Sequence, residues 1–161
     1  MSDALFSDET LRQMKSAIEE YPSRASAILP VLQLAQKEKG WISPETIRFA
    51  SELVGVPESR VVECVTFYTM FNQQPVGKYE INVCTNISCA LVGGEEIYGH
   101  FCKKLGLKNN ETTKDGLFTV RHVECLASCG SGPMALVNDE YIEHLTTEKV
   151  DQLIEEWRRK G

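Results

Sequence analysis

Long apolar stretches are missing from this sequence: none approaches the roughly 20 consecutive apolar residues that a helix needs to cross a bilayer. The first residues, Met1-Ser2-Asp3-Ala4, contain neither the basic segment nor the apolar segment of a secretory signal. These two absences predict a chain with no direct membrane span and a cytoplasmic location.

Basic residues are also few. The chain has 17 Lys and Arg residues against 23 Asp and Glu residues, so its formal net charge at pH 7 is −6. Proteins bind the nucleic-acid backbone by neutralising phosphates with Lys and Arg, a task for which an acidic chain is poorly suited. We therefore expect no nucleic acid among its partners.

Patterns that signal catalysis or nucleotide binding are absent too. Three histidines, His100, His122 and His144, share no short-range spacing that would bring them together as ligands or relays. Gly93-Gly94 lacks the rest of the glycine-rich dinucleotide fingerprint. No Cys-x-x-Cys is present, which argues against a thioredoxin-type redox pair. We expect no catalytic residue in this chain.

The first half of the chain has the apolar periodicity of helices. Ser43 followed by Pro44 is typical of a helix start, with serine as the N-cap and proline at the first helical position. The end of the fourth helix stays open over residues 67–71, whose aromatic side chains belong either to the core or to an interface. The four apolar faces lie within residues 11–21, 28–35, 47–54 and 61–65.

The pattern changes over residues 73–77 from helical periodicity to strand alternation, which predicts a domain boundary. Beyond it, the sequence predicts a strand that ends at Cys84, a loop that contains Cys89, a helix that closes at Gly106 and a second strand that ends at Cys125.

A hairpin turn at residues 138–140 and an amphipathic helix complete the chain. Asp151, Glu155 and Glu156 are expected on the solvated face of that helix. We therefore predict an α+β protein, with a helical bundle in residues 1–74 and a β-α-β-β-α domain in residues 75–161.

Four cysteines form two short-range pairs, C-x4-C at Cys84 and Cys89 and C-x3-C at Cys125 and Cys129. If the two preceding strands are parallel neighbours, both pairs lie at the same edge of the sheet. A [2Fe-2S] cluster needs four thiolates, and a structural zinc site also accepts four. The spacing leaves both groups open, with two disulfides as a lesser alternative in a reducing compartment.

The surroundings of the second pair also suit a metal centre. The loop Gly130-Ser131-Gly132 offers unhindered backbone N–H groups to sulfur atoms. The remaining cysteines, Cys64 and Cys102, fall within helical patterns, where cysteine is usually a small buried hydrophobic residue. We assign them no role.

Three stretches give the sequence a family resemblance: Val65–Phe71, Cys84–Cys89, and Asp115–Thr119 running on to Pro133. Over nearly the whole chain it resembles the NuoE family of NADH-quinone oxidoreductase (respiratory complex I) subunits, whose relatives also serve NAD-linked hydrogenases and formate dehydrogenases. The resemblance implies an amino-terminal helical bundle, a thioredoxin-like ferredoxin domain and [2Fe-2S] ligation by the two cysteine pairs. It makes zinc the minor option.

The resemblance further implies an electron-transfer subunit that is not catalytic alone. FMN and NADH would bind a flavin-bearing, NuoF-like partner subunit rather than this chain. The whole would form a larger multi-subunit redox complex, peripheral at the inner face of the membrane. The alternatives are a subunit of an NAD-linked hydrogenase or formate dehydrogenase, a zinc-stabilised interaction module and a self-standing, soluble thioredoxin-like ferredoxin.

One position departs from the family pattern. The residue after Leu126 is usually glycine in this family, and here it is Ala127. A Cβ atom at this position either excludes a positive φ angle or implies backbone strain.

Overall fold

The computed structural model describes residues 5–161; Met1–Ala4, on which the expectation about a secretory signal rests, lie outside the described residues. Residues 5–161 contain seven α-helices and five strands, and the chain divides into two compact units between Pro75 and Val76. Within this described range, no helix is both long and apolar enough to cross a membrane.

The first unit is built of helices whose ends are fixed by the expected caps. The hydroxyls of Ser7 and Ser43 accept the backbone N–H groups three residues further on, at 3.2 and 3.1 Å. Gly40 and Gly55 end the second and third helices in the left-handed conformation. The helices are α1 Asp8–Glu20, α2 Ile28–Lys39, α3 Pro44–Val54 and α4 Glu58–Phe67, with an unpredicted 3-10 turn at Arg24–Ala27.

The aromatic segment after α4 divides between core and surface. Phe71 is 4% exposed and packs in the core of this unit, as one of the two interpretations predicted. Phe67 is 77% exposed, so the core interpretation is wrong for this residue. The helix ends at Phe67 and Tyr68 turns to extended backbone, so the helical spacing no longer decides which side chains point inward.

The second unit contains a mixed sheet covered by helices. In its five-stranded sheet the strand order is β2-β3-β1-β4-β5, and β1 and β3 are parallel neighbours, as predicted. The register runs from Tyr79 opposite Phe118 to Cys84 opposite Val123. The elements are β1 Tyr79–Cys84, α5 Ile87–Leu91, α6 Gly94–Leu105, β2 Glu111–Thr112, β3 Phe118–Val123, β4 Ala135–Val137, β5 Glu140–Ile142 and α7 Thr147–Lys160.

Two local predictions for this unit are wrong. Cys89 lies in the short helix α5 rather than in a loop, because Asn86 caps the turn by accepting the N–H of Ile87 at 2.8 Å. Five residues are too few to show a helical period in the sequence. Strand β3 ends at Val123, two residues before Cys125, so that cysteine lies in the following loop.

The prediction that the acidic residues of the last helix are simply solvated is wrong for one of them. Asp151 is not simply solvated: its carboxylate pairs with the ring of His100 at 2.7 Å and with the ammonium of Lys104 at 2.8 Å. Both partners lie on α6, so Asp151 joins α6 to α7. This contact depends on tertiary packing and has no local sequence signal.

Helix α6 starts against the end of β1. A Cβ atom added to Gly94 would lie 2.7 Å from the carbonyl oxygen of Cys84 and 2.9 Å from the backbone of Cys89. Real Cβ atoms do not approach backbone this closely, so glycine is required where α6 passes the first cysteine pair.

We expect Gly94→Ala to lower the free energy of unfolding by about 1–3 kcal/mol, because backbone must shift to admit the methyl group. Gly99→Ala on the same helix is the matched control, since nothing lies within 4 Å of its added Cβ. That variant should gain roughly 0.5–1 kcal/mol from helix propensity. Urea unfolding followed by circular dichroism measures both, and equal effects at the two sites would contradict the close approach.

Candidate metal centre

The carboxyl edge of the parallel strand pair brings the first and second cysteine pairs together. Cys84 is the last residue of β1, and its thiol donates to the carbonyl oxygen of Glu124 at 3.2 Å. Glu124 immediately precedes Cys125 in the chain. The ladder continues past the strand end, where the N–H of Thr85 donates to Val123 at 3.0 Å. The predicted meeting of the two strand ends is therefore observed.

The first cysteine pair is buried. Cys84 and Cys89 are 4% and 2% exposed, and they pack with the fully buried Met134 and the partly buried Leu126. Burial and, after it, the neighbouring Cys84 together raise the pKa of Cys89 to about 11. A backbone hydrogen bond from Met134 acts in the opposite direction. Two thiols held this close gain from sharing a cation, which removes their protons and compensates their charge.

The second pair is exposed. Cys125 follows β3, and its sulfur accepts the N–H of Ala127 at 3.4 Å. Cys129 begins a 3-10 turn, Cys129–Ser131, and its charge contributes to the raised pKa of Cys89. Within residues 5–161, no group of three or more His, Cys, Asp and Glu side chains has an arrangement that could hold a metal ion.

The backbone around the buried pair leaves room for sulfur. A Cβ atom on Gly132 would lie 3.2 Å from the sulfur of Cys89 and 3.1 Å from a methyl of Val92. A larger residue at this position would require these side chains to shift by a few tenths of an ångström, so glycine eases the close passage of the loop beside the thiol. The cysteine sulfurs, the apolar side chains of Met134 and Leu126 and the N–H of Ala127 are the donor chemistry that an iron-sulfur cluster uses. Such a cluster takes two thiolates per iron, so it suits two cysteine pairs that do not surround a single ion position.

The loop Cys125–Cys129 has supports that the sequence did not reveal. The hydroxyl of Tyr141 donates to the carbonyl oxygen of Leu126 at 2.9 Å. The carboxylate of Glu143 accepts from Ser128 and Ser131 at 2.7 and 2.5 Å. Tyr141 lies in β5 and Glu143 directly follows that strand, so both are distant from the loop in the sequence and no local motif could have identified them.

The other two cysteines, Cys64 and Cys102, belong to neither cysteine pair and lie within helices, as predicted. Cys64 is half-buried in α4, and burial raises its pKa. Cys102 is half-buried in α6 and contacts Tyr98, whose pKa burial raises to about 12. All six cysteines lie in the described part of the chain, and all are free.

Apolar side chains are exposed beside the first pair. On and next to α5, Ile87 is 72%, Leu91 81% and Val92 55% exposed. A contiguous group of exposed apolar side chains is a feature that contact surfaces share.

Comparison with known proteins places this arrangement in a family. The family described as thioredoxin-like [2Fe-2S] ferredoxin matches residues 14–158. The E subunit of NADH-quinone oxidoreductase from Rickettsia prowazekii is 41% identical over 155 residues, which cover 94% of this chain and 88% of that protein. The corresponding protein of Mycobacterium tuberculosis, also an E subunit of NADH-quinone oxidoreductase, is 38% identical over 144 residues, which cover 89% of this chain and 57% of that protein.

Among solved structures, an NAD+-reducing [NiFe]-hydrogenase in its air-oxidised state matches with a TM-score of 0.74 at 21% identity. The match covers 83% of this chain and 23% of the hydrogenase chain, so this chain spans about a quarter of that one. Similarity at this level of identity shows a shared fold.

The sequence left two possibilities at Ala127, a negative φ angle or a strained positive one, and the structure has the positive angle. Its φ is +61°, in the region that costs a non-glycine residue roughly 1–2 kcal/mol. Ala127→Gly should remove this strain and lose about 0.5–1 kcal/mol to chain entropy, so we expect a net gain of about 0.5–1 kcal/mol in unfolding free energy.

Ala90→Gly in α5 is the matched control, since it makes the same exchange within a helix and should only destabilise the protein. Thermal unfolding of the purified variants compares the two changes. A loss of stability at both positions would show that the loop does not strain Ala127.

Proposed function

Because the chain belongs to the thioredoxin-like [2Fe-2S] ferredoxin family and, within it, to the E subunits of NADH-quinone oxidoreductase, we propose how its own residues serve that role. It is an electron-transfer subunit with one [2Fe-2S] cluster in NADH-quinone oxidoreductase or a related NAD-linked complex. Its fold is α+β, with helices that precede a thioredoxin-like sheet domain.

The four ligands that we propose are Cys84, Cys89, Cys125 and Cys129. One observation supports this assignment most strongly: the thiol of Cys84 contacts the carbonyl group directly before Cys125, at 3.2 Å. The parallel pairing of β1 and β3 produces this contact. It joins two cysteine pairs that are far apart in the sequence.

When bound, the cluster supplies reversible one-electron chemistry. The chain's own groups hold and tune it. The apolar side chain of Met134 packs against the buried pair and keeps water from it. The N–H of Ala127 donates toward the sulfur of Cys125. Such donors stabilise negative charge on sulfur and so favour the reduced form.

We propose that the electrons reach this chain from a flavin on another subunit. Oxidation of NADH delivers two electrons together, and a flavin can separate them, whereas a lone [2Fe-2S] cluster cannot. FMN and NADH then bind the flavoprotein subunit, which we propose to be NuoF-like, and this chain is not catalytic alone. The complex is proposed to be peripheral at the inner, cytoplasmic face of the membrane.

Two exposed apolar surfaces suit contacts within such a complex. One surrounds α5 beside the cysteine site, and the other is Phe67 with Met70, which are 77% and 48% exposed. We propose that residues 1–74 and 75–161 act as a helical bundle and a ferredoxin domain, each with one of these surfaces.

The ligand assignment predicts a sharp division among the six cysteines. Replacing any one of the four proposed ligands by Ala should remove or destabilise the cluster, because one iron then loses a thiolate. Cys64→Ala and Cys102→Ala are the matched controls and should retain two irons and two acid-labile sulfides per chain. Iron and sulfide analysis measures this, and zinc in place of iron in the wild type would contradict the proposed function.

The proposed partnership predicts where activity resides. The isolated chain should show no NADH:ferricyanide reductase activity, because the described residues provide no dinucleotide fingerprint at Gly93-Gly94. The pair formed with the flavoprotein subunit should show that activity. Reductase activity in the flavin-free, isolated chain would overturn the proposal.

A further inference from the structure

Three side chains tie the Cys129 loop to the segment that follows β5. Ser128 lies directly before Cys129, and Ser131 lies two residues after it. The hydroxyls of both serines lie within hydrogen-bond distance of a single carboxylate oxygen, Oε1 of Glu143, at 2.7 and 2.5 Å. A single carboxylate oxygen therefore contacts residues on both sides of Cys129.

The contacts among the three side chains require an acceptor at their centre. The two hydroxyl oxygens are also 2.7 Å apart, so two hydroxyl protons serve three close oxygen contacts. An ionised carboxylate brings no proton of its own and accepts those of the serines. The pKa of Glu143 lies below its usual value because Ser131 and Ser128 donate to it, which keeps it ionised.

Glu143 is itself held in place. Its backbone carbonyl oxygen accepts from the ammonium of Lys149, in the first turn of α7, at 2.7 Å. The next residue, His144, donates its backbone N–H to the carbonyl oxygen of Ser131 at 2.9 Å. The Glu143 carboxylate thus extends from a segment that already runs beside the Cys129 loop, and it is half-buried there.

We propose that Glu143 is a positioning residue for the cluster site: it fixes the Ser128–Ser131 turn that presents Cys129 and places one negative charge beside it. This inference rests on the proposed ligation by Cys129. Groups that hold metal ligands in place typically change metal retention and potential when they are removed. Without Glu143 the two hydroxyls lose their shared acceptor, and the turn keeps the bonds of Ser131 to the carbonyl oxygen of Ser128 and to the N–H of His144.

Glutamine at this position separates the two contributions. In Glu143→Gln the side-chain oxygen can still accept from the serines, but the charge is lost. In Glu143→Ala both the acceptor and the charge are lost. Glu155→Gln is the matched control, because Glu155 is exposed on α7 and the substitution changes the net charge by the same amount.

The experiment uses the purified full-length chain with its cluster. Iron release to a chelator gives the lifetime of the cluster, and a redox titration followed by electron paramagnetic resonance gives its midpoint potential and spectrum. We expect Glu143→Ala to shorten the lifetime several-fold and Glu143→Gln to restore most of it. Both variants should raise the potential, because a nearby negative charge disfavours the reduced form, while Glu155→Gln should not.

Wild-type lifetime and potential in Glu143→Ala would overturn the inference. If Glu143→Ala does not fold, two other variants test the inference. A wild-type cluster lifetime in Ser131→Ala, together with a wild-type potential in Glu143→Gln, would contradict it. Cys129→Ala separates this inference from the proposed function. Full iron and sulfide in Cys129→Ala would reject the ligand assignment, whereas loss there with a normal Glu143→Ala rejects only the role of Glu143.

Discussion

The parallel pairing of β1 and β3 is the constraint on which the site depends. The strands run in the same direction with Cys84 opposite Val123, so the chain leaves both at one edge of the sheet. Strand β4 lies antiparallel on the other side of β1 and brings Met134 beneath the same edge. A register shift of one residue would turn Cys84 to the opposite face and separate the two pairs.

Beyond the strand ends, the sheet no longer positions the backbone, and two other kinds of contact take over. Near the buried pair the contacts are close approaches at two glycines: no Cβ atom fits at Gly94, and one at Gly132 would press on the sulfur of Cys89. Near the exposed pair they are polar ties from Tyr141 and Glu143. The result is an asymmetric site in which one cysteine pair is buried and the other is exposed.

Much of this arrangement follows from local sequence rules. Serine caps, glycine ends and alternating strand residues act within a few positions, so they predicted most of the elements and the position of Cys84 at the end of a strand. Features that depend on tertiary contacts were not predictable. The pairing of Asp151 with α6 and the reach of Glu143 to Ser128, fifteen residues away, have no periodic or motif signal. The exposure of Phe67 was not predictable for a related reason: its helix ends at this residue while the aromatic pattern continues.

The groups around the cysteines act on charge in opposite directions. The N–H of Ala127 and the backbone hydrogen bond from Met134 favour negative charge on sulfur, whereas the negative charge that we propose Glu143 places beside Cys129 would disfavour it. The donors act at contact distance, and the carboxylate acts from one residue further out, where it is half-exposed and therefore screened by solvent. The donors should dominate the retention of charge at the site, while Glu143 contributes chiefly through the geometry of the turn that it holds.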